Sequence, residues 1–441
     1  MAEPASPATF FIRTFGCQMN EHDSGRMAQQ LVAAGLEPAP EPGRADLIIV
    51  NSCSVRAKPE HKALSEAGRY KAHRRRRNAR IVLAGCVAQQ EGARLLERAP
   101  WLDGVLGPDA AGRMHELIEA VRRGALPVLW VEQHSRGDPR FVPLGPSCGR
   151  QVSAPVTIMK GCDNFCSYCV VPLVRGREVS RPQSEILSEV EELAERGCRE
   201  VVLLGQNVNS YRGIRGGDFP ALLEALDRQG AARRIRFTTS HPKDASDRLV
   251  QAVAGLDRVC EHIHLALQAG SDRILHAMRR GYRAADFIER VLAFRRAVPG
   301  ISVTTDIIVG FPGETEDDFR ATLAAVEAAA FDAAYSFKYS PRPGTAASRL
   351  PDDVPPGVKA DRLARLQRRL RELEAASLDR LVGSTQEVLV ERRSLRDPEA
   401  RTGRTRCNRV VNFRADPPPA PGDRVAVSVQ ETRGHTLWGR I

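Results

Sequence analysis

The sequence predicts an α/β protein with three parts: an N-terminal doubly wound parallel sheet, a central partial (β/α)6 barrel and a small C-terminal β-barrel. Residues 8–124 alternate short aliphatic runs with helical stretches, and the alternation resumes in longer units over 154–340. From residue 384 the chain changes to short strand-like runs with basic residues. Alternating strands and helices are typical of parallel sheets, whereas successive short strands favour a small barrel.

Length and composition fit a soluble protein of several domains. A chain of 441 residues can form two to four cores, and we place the domains at 8–124, 148–378 and 379–441. No run of about 18 apolar residues predicts a membrane span, and Met1–Thr9 lacks the pattern of a signal peptide. We therefore expect a cytoplasmic protein. A net charge of +11 favours a polyanionic partner such as RNA.

Cysteine follows each of the first three predicted strands of the N-terminal part. The predicted strands are Ala8–Gly16, Ala45–Asn51, Arg80–Ala84 and Gly104–Gly107. Cys17, Cys53 and Cys86 follow the first three, and the carboxyl ends of parallel strands line one crevice. These cysteines can therefore meet in a metal site, although cysteine also occurs at strand ends without any metal.

Polar residues beside these strand ends allow two interpretations. Asn20, Asn51 and Ser52 could donate hydrogen bonds to sulfur or to a ligand, or they could serve turns. Arg74–Arg77 at a predicted helix end is either a solvated helix terminus or a contact for RNA phosphates.

Six strand–helix units follow a predicted linker over 125–153, which contains Cys148. The predicted strands are Ala154–Gly161, Glu200–Gln206, Arg234–His241, His262–Gln268, Ile301–Gly310 and Ala333–Ser340. The predicted helices are Ser184–Gly197, Phe219–Gln229, Ser246–Ala254, Ala284–Ala297 and Glu316–Ala330. This period predicts a partial barrel with its site at the carboxyl ends of the strands. His262 and His264 alternate along one strand and should share a barrel face.

The first central strand leads directly into the cysteine motif Cys162, Cys166 and Cys169, spaced C-x3-C-x2-C. Thiolates are the preferred ligands of iron–sulfur clusters, and three of them leave one iron of a four-iron cluster open. Packed core cysteines or a zinc site are the alternatives.

The C-terminal part combines a connecting helix over 358–380 with a small barrel. The predicted strands are Gln386–Arg392, Arg409–Phe413, Arg424–Gln430 and Thr436–Ile441, with breaks at Arg401–Arg406 and Pro417–Gly422. Basic residues and an exposable Phe413 would suit single-stranded or looped RNA.

With Tyr168 before its last cysteine, the motif resembles the radical S-adenosylmethionine (radical SAM) superfamily, and the whole chain resembles the MiaB family of methylthiotransferases. The matching stretches are Thr14–Asn20, Asn51–Arg56, Ala84–Gln89, Val170–Pro172, Arg175–Glu178, Ser180–Pro182, Gly205–Tyr211 and Asp306–Thr315. Cys407–Phe413 resembles the TRAM domain, a family of RNA-binding β-barrels.

The resemblance implies two [4Fe-4S] clusters, an auxiliary one on Cys17, Cys53 and Cys86 and a radical one on the central motif. One SAM would methylate a cluster-bound sulfur, and a second would yield the radical that removes hydrogen from C2 of N6-dimethylallyladenosine at position 37 of tRNA. An electron donor and a sulfur donor would be needed, no membrane is involved, and a monomer is our default expectation. Expected cofactor contacts are Tyr168, Gly205, Gln206, Asn207, Ser240, Gln268 and Gly310.

One stretch departs from the family pattern His-Leu-Pro-Val-Gln-Ser-Gly-Ser, because Ala266 replaces the proline and Ala269 a serine. We expect a change in local contacts and not in the reaction. Two rival functions stay open: a sibling methylthiotransferase acting on threonylcarbamoyl-adenosine in tRNA or on a ribosomal-protein aspartate, and a non-catalytic RNA-binding protein with structural metal sites.

Overall fold

The computed structural model describes residues 7–54, 57–133, 151–213 and 216–441. Its strands are β1 (Thr9–Thr14), β2 (Glu37–Pro38), β3 (Leu47–Ser52), β4 (Arg80–Gly85), β5 (Gly104–Leu106), β6 (Val128–Trp130), β7 (Ser153–Thr157), β8 (Met159–Lys160), β9 (Val179–Ser180), β10 (Glu200–Leu204), β11 (Arg234–Phe237), β12 (His262–His264), β13 (Ser302–Val309), β14 (Ala333–Lys338), β15 (Thr385–Arg393), β16 (Arg401–Thr405), β17 (Val410–Arg414), β18 (Arg424–Arg433) and β19 (Thr436–Arg440). Its α-helices are α1 (Gln18–Ala33), α2 (Ala57–Arg69), α3 (Lys71–Arg77), α4 (Cys86–Glu91), α5 (Ala93–Arg98), α6 (Met114–Arg122), α7 (Val171–Val174), α8 (Gln183–Glu195), α9 (Phe219–Gln229), α10 (Asp247–Gly255), α11 (Asp272–Ala277), α12 (Ala284–Ala297), α13 (Glu316–Ala329) and α14 (Pro356–Asp379).

The chain divides into two compact units. The first is drawn from Met1–Gly149, Met159–Phe165 and Cys169–Arg181, and the second from Arg150–Ile158, Cys166–Tyr168 and Pro182–Ile441. Cys148 and most of the predicted linker lie outside the described residues, and the three predicted domain boundaries stay predictions. None of the helices in the described ranges combines the length and apolar character that crossing a membrane requires.

The first unit contains a six-stranded parallel sheet in the order β2-β1-β3-β4-β5-β6. Side chains alternate between its two faces. Leu47 and Ile49 pack on one face with residues of α1 and α6, whereas Ile48 and Val50 pack on the other. Both faces are covered because successive strand residues point to opposite sides and both sets are apolar. The predicted doubly wound sheet is confirmed.

The prediction of a linker over 125–153 is wrong at Val128–Trp130, which form β6, the edge strand beside β5. A three-residue strand is too short to show a period of two, so the composition of its neighbours dominated the prediction.

The second unit carries the six predicted central strands as two parallel three-stranded sheets, β7-β10-β11 and β12-β13-β14. Parallel bridges join β11 to the β12 region at Ile235–Val259 and Ser240–Leu265. The partial barrel is therefore confirmed. His262 and His264 both lie within hydrogen-bond distance of Thr304 Oγ1, so they share one face as predicted.

The C-terminal strands form a closed barrel in the order β15-β16-β17-β19-β18. Two predictions about it are wrong. Arg401–Arg406 is not a break, because Arg401–Thr405 forms β16 and pairs with both β15 and β17. Phe413 is not exposable, because its side chain is fully buried in the barrel core. The barrel closes through a β17–β19 pair, which encloses this ring.

The hairpin between β16 and β17 docks against the amino ends of the central strands. Arg234 donates to the carbonyl of Arg404 at 2.8 Å, and Arg236 donates to the carbonyls of Thr405 and Arg406 at 2.6 and 2.7 Å. Both arginines are buried at the start of β11. These hydrogen bonds offset the cost of burying the two guanidinium groups, so they fix the hairpin to the base of the central barrel.

Two arginines of the hairpin also contact residues that precede the central strands. Arg406 pairs with Glu261, which directly precedes β12, at 2.7 Å. Arg409 donates to Asp332, which directly precedes β14, and to Ser377 of α14. The C-terminal barrel is thus held at the amino ends of the central strands, the face that serves stability in (β/α) barrels.

Candidate metal centres and cofactor site

The cysteines that follow the first three predicted strands come together in the first unit. Cys17 caps the start of α1 after β1, Cys53 directly follows β3, and Cys86 begins α4 directly after β4. Cys53 is hydrogen-bonded to both Cys17 and Cys86. The three thiols therefore sit at the carboxyl ends of adjacent strands, around the point where the strand order reverses between β1 and β3.

Two of these thiols are acidic. The hydrogen bond with Cys53, aided by the charge of Arg175 against the opposing effect of burial, lowers the pKa of Cys17 to about 6. A second hydrogen bond with Cys53, aided by the same charge, lowers the pKa of Cys86 to about 7. Cys53 donates in both bonds, which raises its own pKa. Thiolates are the form that binds metal, so the lowered pKa values bring Cys17 and Cys86 close to their ligand state at neutral pH.

Arg175 is a buried cation beside this trio. It donates to Asp23 Oδ2 at 2.8 Å and to Asn20 Oδ1 at 3.1 Å. Asn20 lies at the start of α1, with its Oδ1 3.6 Å from Cys17 Sγ, and Asn51 donates to its carbonyl at 2.8 Å. The asparagines thus form a buried network rather than exposed turns. Ser52 donates to the carbonyl of Ala84, which leaves its hydroxyl engaged in the sheet.

Two glycines allow this close approach. A Cβ atom on Gly16 would lie 2.3 Å from Cys53 Cβ, and one on Gly85 would lie 2.3 Å from Asn51 Oδ1. Both have positive φ, at 137° and 90°, which only glycine adopts without strain. The thiols therefore line a small, glycine-walled crevice.

The donor set fits an iron–sulfur cluster. Three thiols converge, two of them acidic, and a buried guanidinium offsets their negative charge. Within the described ranges, no three His, Cys, Asp or Glu side chains are arranged to hold a single metal ion.

The cysteines of the central motif are divided between the two units, with Cys162 and Cys169 in the first and Cys166 in the second. In the first unit, the amide of Cys162 donates to the carbonyl of Gly176 at 3.3 Å, and its Sγ accepts from Asn164 at 3.5 Å. Cys169 belongs to the same unit and directly precedes the turn into α7. Amide donors beside sulfur are typical of cluster ligands.

In the second unit, Cys166 is contacted by an arginine that the sequence analysis missed. Arg280 Nη1 lies 3.3 Å from Cys166 Sγ and 3.4 Å from Tyr168 Oη. It also donates to the carbonyl of Ala266 at 2.7 Å and to Tyr282 Oη at 3.1 Å. Arg280 is buried. No spacing rule points to it, because it lies 114 residues from Cys166 and follows another arginine.

Three of the expected cofactor contacts lie at strand ends, and two of them have buried polar atoms available to a ligand. Among the described residues, the buried atoms Gln206 Oε1 and Ser240 Oγ have no hydrogen-bond partner. The Gln268 backbone donates to the carbonyl of Asp306 at 2.8 Å, and its φ of 69° turns the chain away from the strand. Buried polar atoms without partners are costly, which indicates a ligand here.

The other expected contacts have structural partners. Asn207 donates to Asp244 at 2.7 Å and accepts from the amide of His241 at 3.0 Å. Gly310 packs against α14, where an added Cβ would lie 2.4 Å from Lys359 Cγ. Gly205 is buried directly after β10, and the Tyr168 ring packs on an apolar cluster. The structure gives these four no open polar atom for a ligand.

The departures at Ala266 and Ala269 have local consequences. Ala269 is buried in the apolar cluster with Ile274 and Met278. Its methyl group packs there, whereas a serine hydroxyl at this position would need a hydrogen-bond partner. The carbonyl of Ala266 accepts from Arg280 and Tyr282.

Two arginines of the run Arg74–Arg77 form ion pairs within the first unit. Arg74 pairs with Asp103 and Arg77 with Asp46, whereas Arg75 and Arg76 are exposed. Contact with RNA phosphates therefore stays a prediction.

Three family models match the chain. An uncharacterized protein family, UPF0004, matches residues 9–107, the radical SAM superfamily matches 156–326, and the TRAM domain matches 379–441.

Curated relatives match over almost the full length. The tRNA-2-methylthio-N(6)-dimethylallyladenosine synthase of Ralstonia nicotianae is 47% identical over 444 residues, covering 98% of this chain and 97% of the relative. The protein of the same name from Verminephrobacter eiseniae is 46% identical over 440 residues, covering 98% of this chain and 96% of the relative.

Solved structures share the fold. The radical S-adenosylmethionine methyltransferase TsrM from Kitasatospora setae has a TM-score of 0.57 at 17% identity, covering 77% of this chain and 75% of that one. The cobalamin-dependent radical enzyme OxsB has a TM-score of 0.54 at 12% identity, covering 82% of this chain and 56% of that one.

Proposed function

Because the chain belongs to the tRNA-2-methylthio-N(6)-dimethylallyladenosine synthase family, we propose that it methylthiolates C2 of N6-dimethylallyladenosine at position 37 of tRNA. The observation that carries the proposal is the convergence of Cys17, Cys53 and Cys86 at the strand ends of the first unit, two of them with lowered pKa values, in a chain that also has the radical SAM motif.

The radical SAM match implies SAM and a [4Fe-4S] cluster, and we assign that cluster to Cys162, Cys166 and Cys169. We assign a second cluster to Cys17, Cys53 and Cys86. When bound, these groups supply the radical, the sulfur and the methyl group of the reaction.

The protein's own residues orient these groups and exclude side reactions. Arg175 places a positive charge beside the first trio, and Arg280 places one beside Cys166. Gln206 and Ser240 offer buried polar atoms to SAM at the carboxyl ends of the central strands. Buried cations beside thiolates hold the ligand state without solvent.

The tRNA partner is supported by the net charge and by the C-terminal barrel. A cleft of about 1030 Å³ on this barrel is lined by Arg393, Arg440 and Trp438, and the guanidinium of Arg433 stacks on the Trp438 ring at 3.9 Å. Arginines and aromatic rings together suit RNA. Trp438 is partly exposed and takes the role expected of Phe413. An electron donor and a sulfur donor complete the proposed partners, with action as a monomer in the cytoplasm.

Profiling of adenosine 37 in a strain lacking the protein tests the reaction. We expect 2-methylthio-N6-dimethylallyladenosine to disappear and N6-dimethylallyladenosine to accumulate. Unchanged methylthio-prenyladenosine, with loss of methylthio-threonylcarbamoyl-adenosine or of the ribosomal aspartate modification, would identify the sibling enzyme instead.

Cofactor analysis tests the non-catalytic alternative. Two four-iron clusters predict about eight iron and eight sulfide per chain, and SAM turnover predicts release of 5′-deoxyadenosine. A protein containing zinc and releasing no 5′-deoxyadenosine would be a structural RNA-binding protein.

A further inference from the structure

The inner face of the second central sheet carries a polar wall formed by His264, Thr304, Asp306 and Tyr335. His264 is paired in register with Thr304, and Asp306 with Tyr335, across β12, β13 and β14. Alternation along β13 separates this face from the outer one, because Val303, Thr305 and Ile307 are fully buried. The four side chains therefore form one continuous surface, called the inner wall below.

A directed chain of hydrogen bonds runs along the inner wall. His264 Nε2 lies 3.2 Å from Asp306 Oδ2, and a carboxylate only accepts, so this nitrogen donates. His264 Nδ1 then accepts from the Thr304 hydroxyl at 3.0 Å, which in turn accepts from His262 Nε2 at 3.3 Å. Each nitrogen and oxygen of these contacts can donate or accept as the chain requires without conflict. The hydrogen bonds therefore fix the orientation of the Asp306 carboxylate.

The wall ends in groups that a ligand can reach. The Asp306 side chain is 32% exposed, and its Oδ1 has no hydrogen-bond partner among the described residues. Tyr335 is 59% exposed on β14, the last strand of the open sheet. An exposed aromatic ring beside an oriented carboxylate presents a stacking surface and a hydrogen-bond acceptor together.

The wall lies at the level of the expected cofactor contacts. The amide of Ser240 donates to the carbonyl of His264 at 3.2 Å, and the amide of Gln268 donates to the carbonyl of Asp306 at 2.8 Å. A ligand on the wall would therefore be adjacent to a cofactor at Ser240 and Gln268.

We propose that the inner wall receives the extruded purine base of the RNA substrate, with Tyr335 stacking on the base and Asp306 accepting a hydrogen bond from its N6–H. This assignment rests on the proposed function. An N6-alkylated adenine keeps a single N6–H, and a carboxylate oriented by His264 matches that donor. Enzymes that modify a base take it out of the stack and read it by stacking and edge contacts.

Variants of the two contact residues test the assignment in the reconstituted full-length protein. The RNA is an anticodon stem-loop carrying N6-dimethylallyladenosine at position 37. Tyr335→Ala should weaken its binding about tenfold, whereas Tyr335→Phe keeps the ring and should bind normally. Ser336→Ala, on the opposite face of β14, is the matched control.

Asp306→Asn should also lose about tenfold in affinity. His264 Nε2–H holds the amide oxygen, so the new NH2 group faces the N6–H of the base, donor against donor. Iron content and the release of 5′-deoxyadenosine from SAM without RNA should stay at the wild-type level for all variants, because the wall contacts the base and not the cofactor.

The outcomes separate the wall from the proposed function. A wild-type protein that modifies the stem-loop, with Tyr335→Ala and Asp306→Asn binding it equally well, would overturn the wall assignment alone. Loss of SAM cleavage without RNA would also overturn it, because the wall would then serve the cofactor. A wild-type protein that neither binds nor modifies the stem-loop would overturn the proposed function and the assignment with it.

Discussion

Arg175 shows how a single buried charge can prepare a cluster site. Its guanidinium contacts Asp23 and Asn20, and its charge helps to lower the pKa values of Cys17 and Cys86. A buried cation needs a buried anion, and Asp23 supplies one. The thiolates of a bound cluster would add further negative charge close to the Arg175 guanidinium.

Replacing Arg175 with Gln should therefore reduce cluster loading. We expect about half of the wild-type iron and sulfide after anaerobic reconstitution, because one of two clusters is lost. Arg123→Gln is the control, since that side chain is 78% exposed and pairs with Glu119 at the surface. Wild-type iron in Arg175→Gln would show that the charge is dispensable.

Among the elements, α13 begins with a capping box that also ties it to α11. Thr315 and Asp318 exchange hydrogen bonds at the helix start, and Ser271 and Arg273 contact the Asp318 carboxylate. Burial acts to raise the pKa of Asp318, but Arg273 and the hydrogen bonds outweigh it and hold the pKa below its usual value.

Asp318→Asn should lower the free energy of unfolding by about 1–2 kcal/mol at pH 7. The folded pKa is depressed, so this contribution is complete above the unfolded pKa of about 4 and is lost as the pH falls below it. Thermal unfolding at pH 7 and pH 3 measures the difference. The control is Asp317→Asn, because the Asp317 side chain is 89% exposed and its replacement should change the free energy of unfolding little. A loss of stability in Asp318→Asn that is equal at both pH values would contradict the assignment.

The β16–β17 hairpin fixes the C-terminal barrel through buried arginines. Arg236 pairs with the buried Glu200 at 2.7 Å and also serves the carbonyls of Thr405 and Arg406. Removing one partner of a buried ion pair leaves an uncompensated charge.

Arg236→Met should therefore cost about 3–5 kcal/mol of stability and speed proteolytic release of the C-terminal barrel. Thermal unfolding and limited proteolysis measure both effects. The neighbouring Arg233 is exposed, so Arg233→Met is the matched control. Equal behaviour of the two variants would mean that the hairpin is held by other contacts.

At the scale of the whole molecule, the sequence predicts what is local or periodic. The strand ends carrying Cys17, Cys53 and Cys86 follow from alternation, since parallel strands bring their carboxyl ends together. The partners that complete these sites do not follow, because Arg175 meets Asn20 across 155 residues. The prediction that Phe413 is exposable is wrong because a two-residue period does not say which face of a strand a closed barrel encloses.

The central claim is that two cysteine trios hold two clusters with different tasks. Anaerobic reconstitution of the wild type and of a Cys17→Ala/Cys53→Ala/Cys86→Ala variant tests it, with iron, sulfide, 5′-deoxyadenosine and methylthiolated RNA measured on each. The account predicts about half the iron in the variant, continued SAM cleavage and no methylthio product. Unchanged iron would show that the strand-end cysteines bind no cluster and would contradict the account.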